Sequence, residues 1–373
     1  MTQLFYMFPQ KSQYSNTIRT KCLPALFLFL LTGFTPLSAT AIVPIIFSPL
    51  PALTANELGV IVNDSDPLSI KIANYYQQQR KIPDQNIIHV RFNPNYKTLP
   101  IAIFNKIKQQ ADKLTPKHVQ AYALTWMHTY RVDCMSITTA FAAGYNSSFC
   151  ANGCKKTQPS PYYNSEKNKP FDEYKWRPAM ALAGENFADV KALIDRGIAS
   201  DYSHPLGTAY LLNTSDKARS SRAVFFPKIA LLFNGIWPIK TLQQDYIENK
   251  TDVLFYFTGK THIKKIQSNH FLPGAIADHL TSAGGVLPGS KQMSSLEWLK
   301  AGATGSYGAV VEPCNFVQKF PNPGILMLYY LRGNSLIEAY WKSVAWPGQG
   351  IFIGEPLAKP FAYQTRPPAQ NIL

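Results

Sequence analysis

The chain predicts an α/β protein with a three-layer, doubly wound, mostly parallel sheet. Three observations lead there. Short apolar runs alternate with helix-length stretches from Leu58 to Gly354, the rhythm of strands joined by crossover helices. Each apolar run stops at glycines or a polar cluster, as where parallel strands empty into loops. No linker, repeat or low-complexity run divides the 373 residues, so one domain is expected over 42–373.

LGVIVN (58–63) reads as the first strand. It ends in Asn63-Asp64-Ser65-Asp66-Pro67, and Ser69 is expected to cap a helix through Tyr76 and Arg80 that Pro83 stops. NIIHVRF (86–92) supplies a second strand, Ile101 to Leu114 a helix, and VQAYALTW (119–126) a third strand. Residues 130–178 interrupt the rhythm: they hold Ser, Asn, Pro, Tyr and three cysteines without a long period. They read as a cysteine-containing loop insertion over the strand ends. MALAGE (180–185), a helix over Ala188 to Ala199, and GTAYLLNT (207–214) restore the pattern.

Lys217, Arg219 and Arg222 then read as the solvated start of a helix. VLFYFTG (253–259) and AIADHLTS (275–282) are strands, and a helix runs through Trp298 and Leu299. YGAVVEP (307–313), one long helix from Asn322 towards Trp341, and IFIG (351–354) complete the order.

Residues 1–41 read as a secretory signal. Lys11, Arg19 and Lys21 stand there without an acid, before an apolar core, Cys22 to Phe34, and the small residues Ser38-Ala39-Thr40-Ala41. That core is shorter than the roughly 20 residues of a membrane span. A periplasmic or secreted protein is therefore expected, with no stable membrane span after cleavage. The net charge of +15 loses three with the signal. A basic chain with 16% charged residues suits phosphate-bearing or acidic polysaccharide surfaces of an envelope. Scattered basic residues and export argue against nucleic acid. Lys260, Lys264 and Lys265 are the densest basic group and read as a solvated face.

Cys22 leaves with the signal, and Cys134, Cys150, Cys154 and Cys314 remain. An even number in an exported chain favours disulfides. Cys150 and Cys154 are expected to close a local bridge, and Cys134 and Cys314 to pair or stay unpaired. A zinc knuckle needs two further ligands, and none stand at metal-like spacing; neither a metal nor a cofactor is expected.

Several segments resemble an uncharacterised family of exported bacterial proteins that accompanies exosortase-type sorting systems and exopolysaccharide synthesis. They are VNDSDPLSIKIANYYQQQRKIP (62–83), TWMHTYRVDCMSITTAFAAGY (125–145), SPYYNS (160–165), PGAIADHLTSAGG (273–285), GATGSYGAVVEP (302–313) and GEPLAKPF (354–361). More distantly, residues 252–361 are similar to the caspase-like cysteine peptidases of the gingipain type, which implies a caspase-like or flavodoxin-like sheet. In that group a His-Gly follows one strand and a Cys ends the next, holding a thiolate beside an imidazole. Here those positions fall at Lys260-Thr261 and near Thr281-Ser282, so the resemblance implies a degenerate, non-catalytic peptidase fold that binds envelope polysaccharide or an exported protein.

Two enzymatic alternatives stand beside it. Cys314 follows an apolar strand with His262 and His279 upstream, the order of an active cysteine peptidase. Asp64, Asp278 and Glu312 offer carboxylates for a carbohydrate-active hydrolase, if two lie roughly 5 to 10 Å apart across a groove. Asn63, Asp64, Asp278, Lys260, Ser282 and Glu312 are the expected ligand-binding residues, the first two facing the same crevice as Asp278. Gly302, Gly305 and Gly308 suit strand packing or an anion cradle. Tyr130, Phe141, Tyr145, Phe149, Tyr162 and Tyr163 suit packing under the insertion or stacking on sugars.

Overall fold

The computed structural model describes residues 48–151 and 154–363. The expected signal, residues 1–41, lies outside them. The first part of the chain folds as β1 (Leu58–Asn63), α1 (Pro67–Arg80), β2 (Ile87–Val90), β3 (Thr98–Leu99), α2 (Ile101–Leu114) and β4 (Ala121–Leu124). Next come β5 (Arg131–Val132), β6 (Met135–Ser136), α3 (Ile137–Ala143), α4 (Pro170–Tyr174), β7 (Ala179–Ala181) and α5 (Phe187–Ser200). The rest is β8 (Thr208–Leu212), α6 (Phe226–Leu232), β9 (Ile239–Leu242), β10 (Val253–Thr258), β11 (Phe271–His279), α7 (Leu296–Lys300), β12 (Gly305–Ala309), α8 (Pro323–Leu331), α9 (Leu336–Ser343) and β13 (Gly350–Gly354).

A 10-stranded sheet carries the fold in the order β2-β1-β4-β7-β13-β12-β11-β10-β8-β9. Every neighbouring pair is parallel except β12 with β13. The sheet is therefore two parallel halves of opposite direction, joined where Ser306, Tyr307 and Gly308 pair with Ile353, Phe352 and Ile351. This bears out the mostly parallel α/β class and corrects one expectation. Carboxyl ends of the two halves open on opposite edges, so Asn63 and Asp64 after β1 do not face the crevice beyond β11.

The first half alternates as a sheet buried on both faces must. Val60, Val62, Ala121, Ala123 and Met180 join a core with Ile72, Tyr76 and Val190 of α1 and α5. Ile61, Tyr122, Leu124 and Ala181 join another with Phe104 and Ile107 of α2 and Phe141 of α3. Three layers result.

Local chemistry departs from expectation in three places, and at Gly305 and Gly308 it decides between two readings. Asp66, rather than Ser69, caps α1 by accepting from the Leu68 amide; Ser69 is buried, where its hydroxyl accepts from the Asn63 amide at 2.9 Å. The helix expected from Asn322 breaks at Gly333, whose φ of 101° only glycine adopts easily. It restarts behind a capping box of Ser335 and Glu338. The 130–178 segment is not structureless: α3 packs on β4, β7 and β13 and serves as the crossover between β4 and β7. Gly305 and Gly308 are packing positions, since a Cβ would meet Leu336 and Tyr340 at the first and the backbone of Gly284 and Gly285 at the second.

The disulfides are Cys134–Cys150 and Cys154–Cys314, not the expected Cys150–Cys154. Cys134 stands between β5 and β6, and a short turn at Ser147–Phe149 delivers Cys150 to within 5.5 Å, Cα to Cα. Cys154 is carried on to the loop after β12, where Cys314 waits at the same separation. The longer bridge ties the segment from the first half to a strand exit of the second.

Candidate functional site

The carboxyl ends of β8, β10, β11 and β12 share one edge, and the residues leaving them form the candidate site. Lys260 follows β10, where the resemblance sets a histidine. Its Nζ pairs with the Asp245 carboxylate and donates to Ser215 Oγ at 3.0 Å. The Lys260 hydrogen bond, then the Ser215 amide at 2.8 Å, hold Asp245 down at about 2. That carboxylate is an anion at neutral pH, and the Lys260 ammonium is committed to it.

After β11 come Thr281 and Ser282, near which the resemblance sets a thiol; Thr281 is buried. Its hydroxyl accepts from Arg219 Nε at 3.1 Å and donates to Gln292 Oε1 at 2.7 Å. The same amide oxygen accepts from the Ala283 amide at 2.9 Å. The hydroxyl proton is committed to an amide, and the half-buried Ser282 beside it has no hydrogen bond to an imidazole among the described residues.

His279 is 1% exposed. Trp298 Nε1 donates to its Nδ1 at 2.9 Å, which leaves Nε2 to donate to the Met293 carbonyl at 3.1 Å. Burial pushes it down to about 3. It is a neutral imidazole with both nitrogens in use, so the role of base expected for it is corrected to a structural one. His262 is exposed on the loop after β10.

Asp278 points to the opposite face from His279. It is 1% exposed against Arg222 at 2%, with Nη2 at 2.5 Å from the carboxylate. The approach is close but not aligned as a hydrogen bond, since both carboxylate oxygens lack one. The guanidinium instead donates to the carbonyls of Thr258 at 2.8 Å and Pro321 at 3.2 Å. Burial raises Asp278, and Arg222 opposes that shift. Asp278 is thereby withdrawn from any solvent-borne ligand, and Arg222, expected to be solvated, is a core residue.

Glu312 and Cys314 leave β12. Glu312 Oε1 accepts from the Cys314 amide at 2.7 Å, and Cys314 takes a φ of 52°. With Cys154, Asn315 and Phe316 they line an open groove of about 550 Å³. Trp346 stands 5.6 Å from the Phe316 ring. Lys319 is buried, its Nζ is 5.1 Å from the Phe316 ring and without a hydrogen-bond partner, and burial lowers it to about 8. The Cys314 sulfur is spent in the bridge to Cys154, so the expected nucleophile has no thiol here.

Asn63 and Asp64 lie on the other edge. The buried Asn63 side chain accepts from the Phe92 amide and donates to its carbonyl, both at 3.1 Å, and so clamps the exit of β2. Asp64 is 2.7 Å from His89. Asp64, Asp278 and Glu312 are thus divided between an edge, the core and a groove, and do not face each other as a hydrolase pair. Ligand atoms of Asp133, Cys134 and Cys150 fall within 4.8 Å of one another, but the two sulfurs are bonded together.

Sequence reasoning missed Asp245, Gln292, Arg222 and Lys319. Only Lys319 carried a signal, its place between Val317 and Phe320.

No family model and no curated protein matches the chain. Among solved structures it is similar to the Arg-specific cysteine proteinase gingipain R, at 12% identity and a TM-score of 0.40, over 84% of this chain and 80% of that one.

Proposed function

We propose that the chain is a non-catalytic binding protein of the cell envelope, exported to the periplasm or beyond, which serves exopolysaccharide or surface-protein sorting. Its ligand is an acidic envelope polysaccharide, taken at the groove beside Cys154–Cys314. The observation that carries this reading is the bridge itself: Cys314 has no thiol, His279 has no lone pair to spare, and Lys260 is held by Asp245. Phe316 offers a ring to the apolar face of a sugar, and Glu312 and Asn315 offer hydrogen bonds to hydroxyls. The net charge, +15 less the three carried by residues 1–41, favours a polyanion. Bridging of all four cysteines in the described residues supports an oxidising compartment, and the exosortase-associated resemblance supports the setting.

The test is a peptide-mapped mass of the non-reduced, alkylated protein, with titration against an acidic exopolysaccharide. Cys314 is expected in a disulfide, and Phe316→Ala to weaken polysaccharide binding roughly three- to tenfold. An alkylated Cys314, with peptide hydrolysis by the non-reduced protein that His262→Ala abolishes, overturns the reading in favour of the peptidase.

A further inference from the structure

A second surface lies at the far end of the sheet, next to β9. Val224, Leu231, Leu232 and Ile236 are large apolar side chains standing exposed, Val224 at 73% and Leu231 at 75%. Val224, Leu231 and Leu232 sit on one continuous helical stretch, in which a 3-10 segment, Arg219–Phe225, runs directly into α6, and Ile236 stands in the turn that follows it. Val224, Lys228 and Leu231 follow the spacing of one helix face. Behind them Phe225, Ile229 and Leu232 line an apolar groove of about 300 Å³ against Ile325 and Leu328 of α8.

Charge separates this patch from an ordinary exposed leucine. Residues 217–244 contain Lys217, Arg219, Arg222, Lys228 and Lys240 and no acid. Arg222 is paired with Asp278 and Arg219 with Asp216. Lys217 and Lys228 are exposed and form no ion pair with a carboxylate among the described residues, whereas Lys240 faces the Asp252 carboxylate. A second copy docked about a two-fold axis would bring Lys228 and the apolar face against themselves, like charge facing like charge. An anionic surface meets the same lysines favourably while the apolar side chains leave water.

We infer that the Val224–Ile236 face docks on an anionic phospholipid bilayer. Val224 and Leu231 enter the headgroup–acyl boundary, and Lys228 sits at the level of the phosphates. Contact is peripheral: among the described residues no helix is long and apolar enough to cross a membrane. This goes beyond the groove at β12, and either proposal can fail alone.

Co-sedimentation of the purified protein with phosphatidylglycerol-containing vesicles, and with pure phosphatidylcholine vesicles, tests it at low and high salt. Binding is expected to the anionic vesicles only, and to weaken with salt. Leu231→Asp is expected to cost about tenfold or more and Lys228→Ala about fivefold. Both side chains are exposed, so an unchanged Tm shows that each variant is folded. Absent binding, equal binding to both vesicles, or a folded Leu231→Asp protein that binds as before overturns the inference. So does a concentration-dependent dimer in sedimentation that Leu231→Asp dissolves, which assigns the face to a second copy.

Discussion

Asn63 closes β1 in one half of the sheet, and Asp278 stands near the end of β11 in the other. The halves are alike in construction, yet the first satisfies its strand end with a neutral amide on backbone groups of Phe92. The second buries a carboxylate against a guanidinium that gives its hydrogen bonds to other partners. Buried charge at a strand end resembles catalytic equipment, but here it is sealed from solvent. The difference teaches that the perturbed groups of the second half hold the fold, while the accessible chemistry sits outside them, in the groove at β12.

The largest expected effect comes from cutting the covalent link between the halves. Cys154 and Cys314 are separated by 160 positions, Cys134 and Cys150 by 16. Loop-closure entropy makes the longer bridge worth about 5 kcal/mol and the shorter about 3 kcal/mol. Urea unfolding of the Cys154→Ser/Cys314→Ser protein is expected to show the larger loss. No loss from the Cys154→Ser/Cys314→Ser protein would mean that the long bridge is not formed.

Next in size is the contrast between the strand ends. Arg222→Ala strands Asp278 as an unpaired buried charge, at a cost of about 3–5 kcal/mol. Asn63→Ala leaves backbone groups of Phe92 short of a partner, at about 1–3 kcal/mol. Replacing both charges, Arg222→Met with Asp278→Leu, is expected to recover most of the loss, because desolvation falls away with the pair. If the double variant stays as unstable as Arg222→Ala, packing around Phe257 and Phe320, not charge, is what the guanidinium supplies.

These contrasts bear on what could be read from sequence. Apolar runs and glycine stops located β1, β4, β8, β10, β11 and β13, because burial on both faces demands near-continuous hydrophobicity. They were blind to direction. Antiparallel pairing of β12 with β13 depends on where the chain returns after α9, and no residue in GIFIG announces it. That single reversal moved Asn63 and Asp64 to the wrong edge. Cysteine parity indicated disulfides, but pairing is decided by where the 130–178 segment travels. The β9 strand, IKTL, escaped notice because an edge strand with two exposed residues lacks the apolar run of its neighbours. Arg222 was misplaced because a basic residue among serines reads as solvent-facing unless its carboxylate partner, Asp278, is known.

The smallest expected effect isolates His279. Its folded-state value lies near 3 against an ordinary 6.5, chiefly because burial disfavours the imidazolium. A depressed value means that the unfolded chain binds the extra proton first. The stability His279 contributes is complete above 6.5 and is lost as pH falls towards about 3, at up to about 1.4 kcal/mol per pH unit. Asp278 acts with the opposite sign, since burial raises it: its contribution is present at low pH and fades as pH rises through its folded value. The wild-type slope therefore mixes the two, and the difference between wild type and His279→Gln separates them. Urea midpoints across pH 4 to 7 are expected to converge for the two proteins at the acid end and to part towards neutrality. Parallel curves would mean that His279 charges freely in the folded state, which its bond from Trp298 and its burial do not permit unless the β11 exit opens. In that event His279 would be an accessible imidazole after all, and the β11 strand end would no longer be sealed.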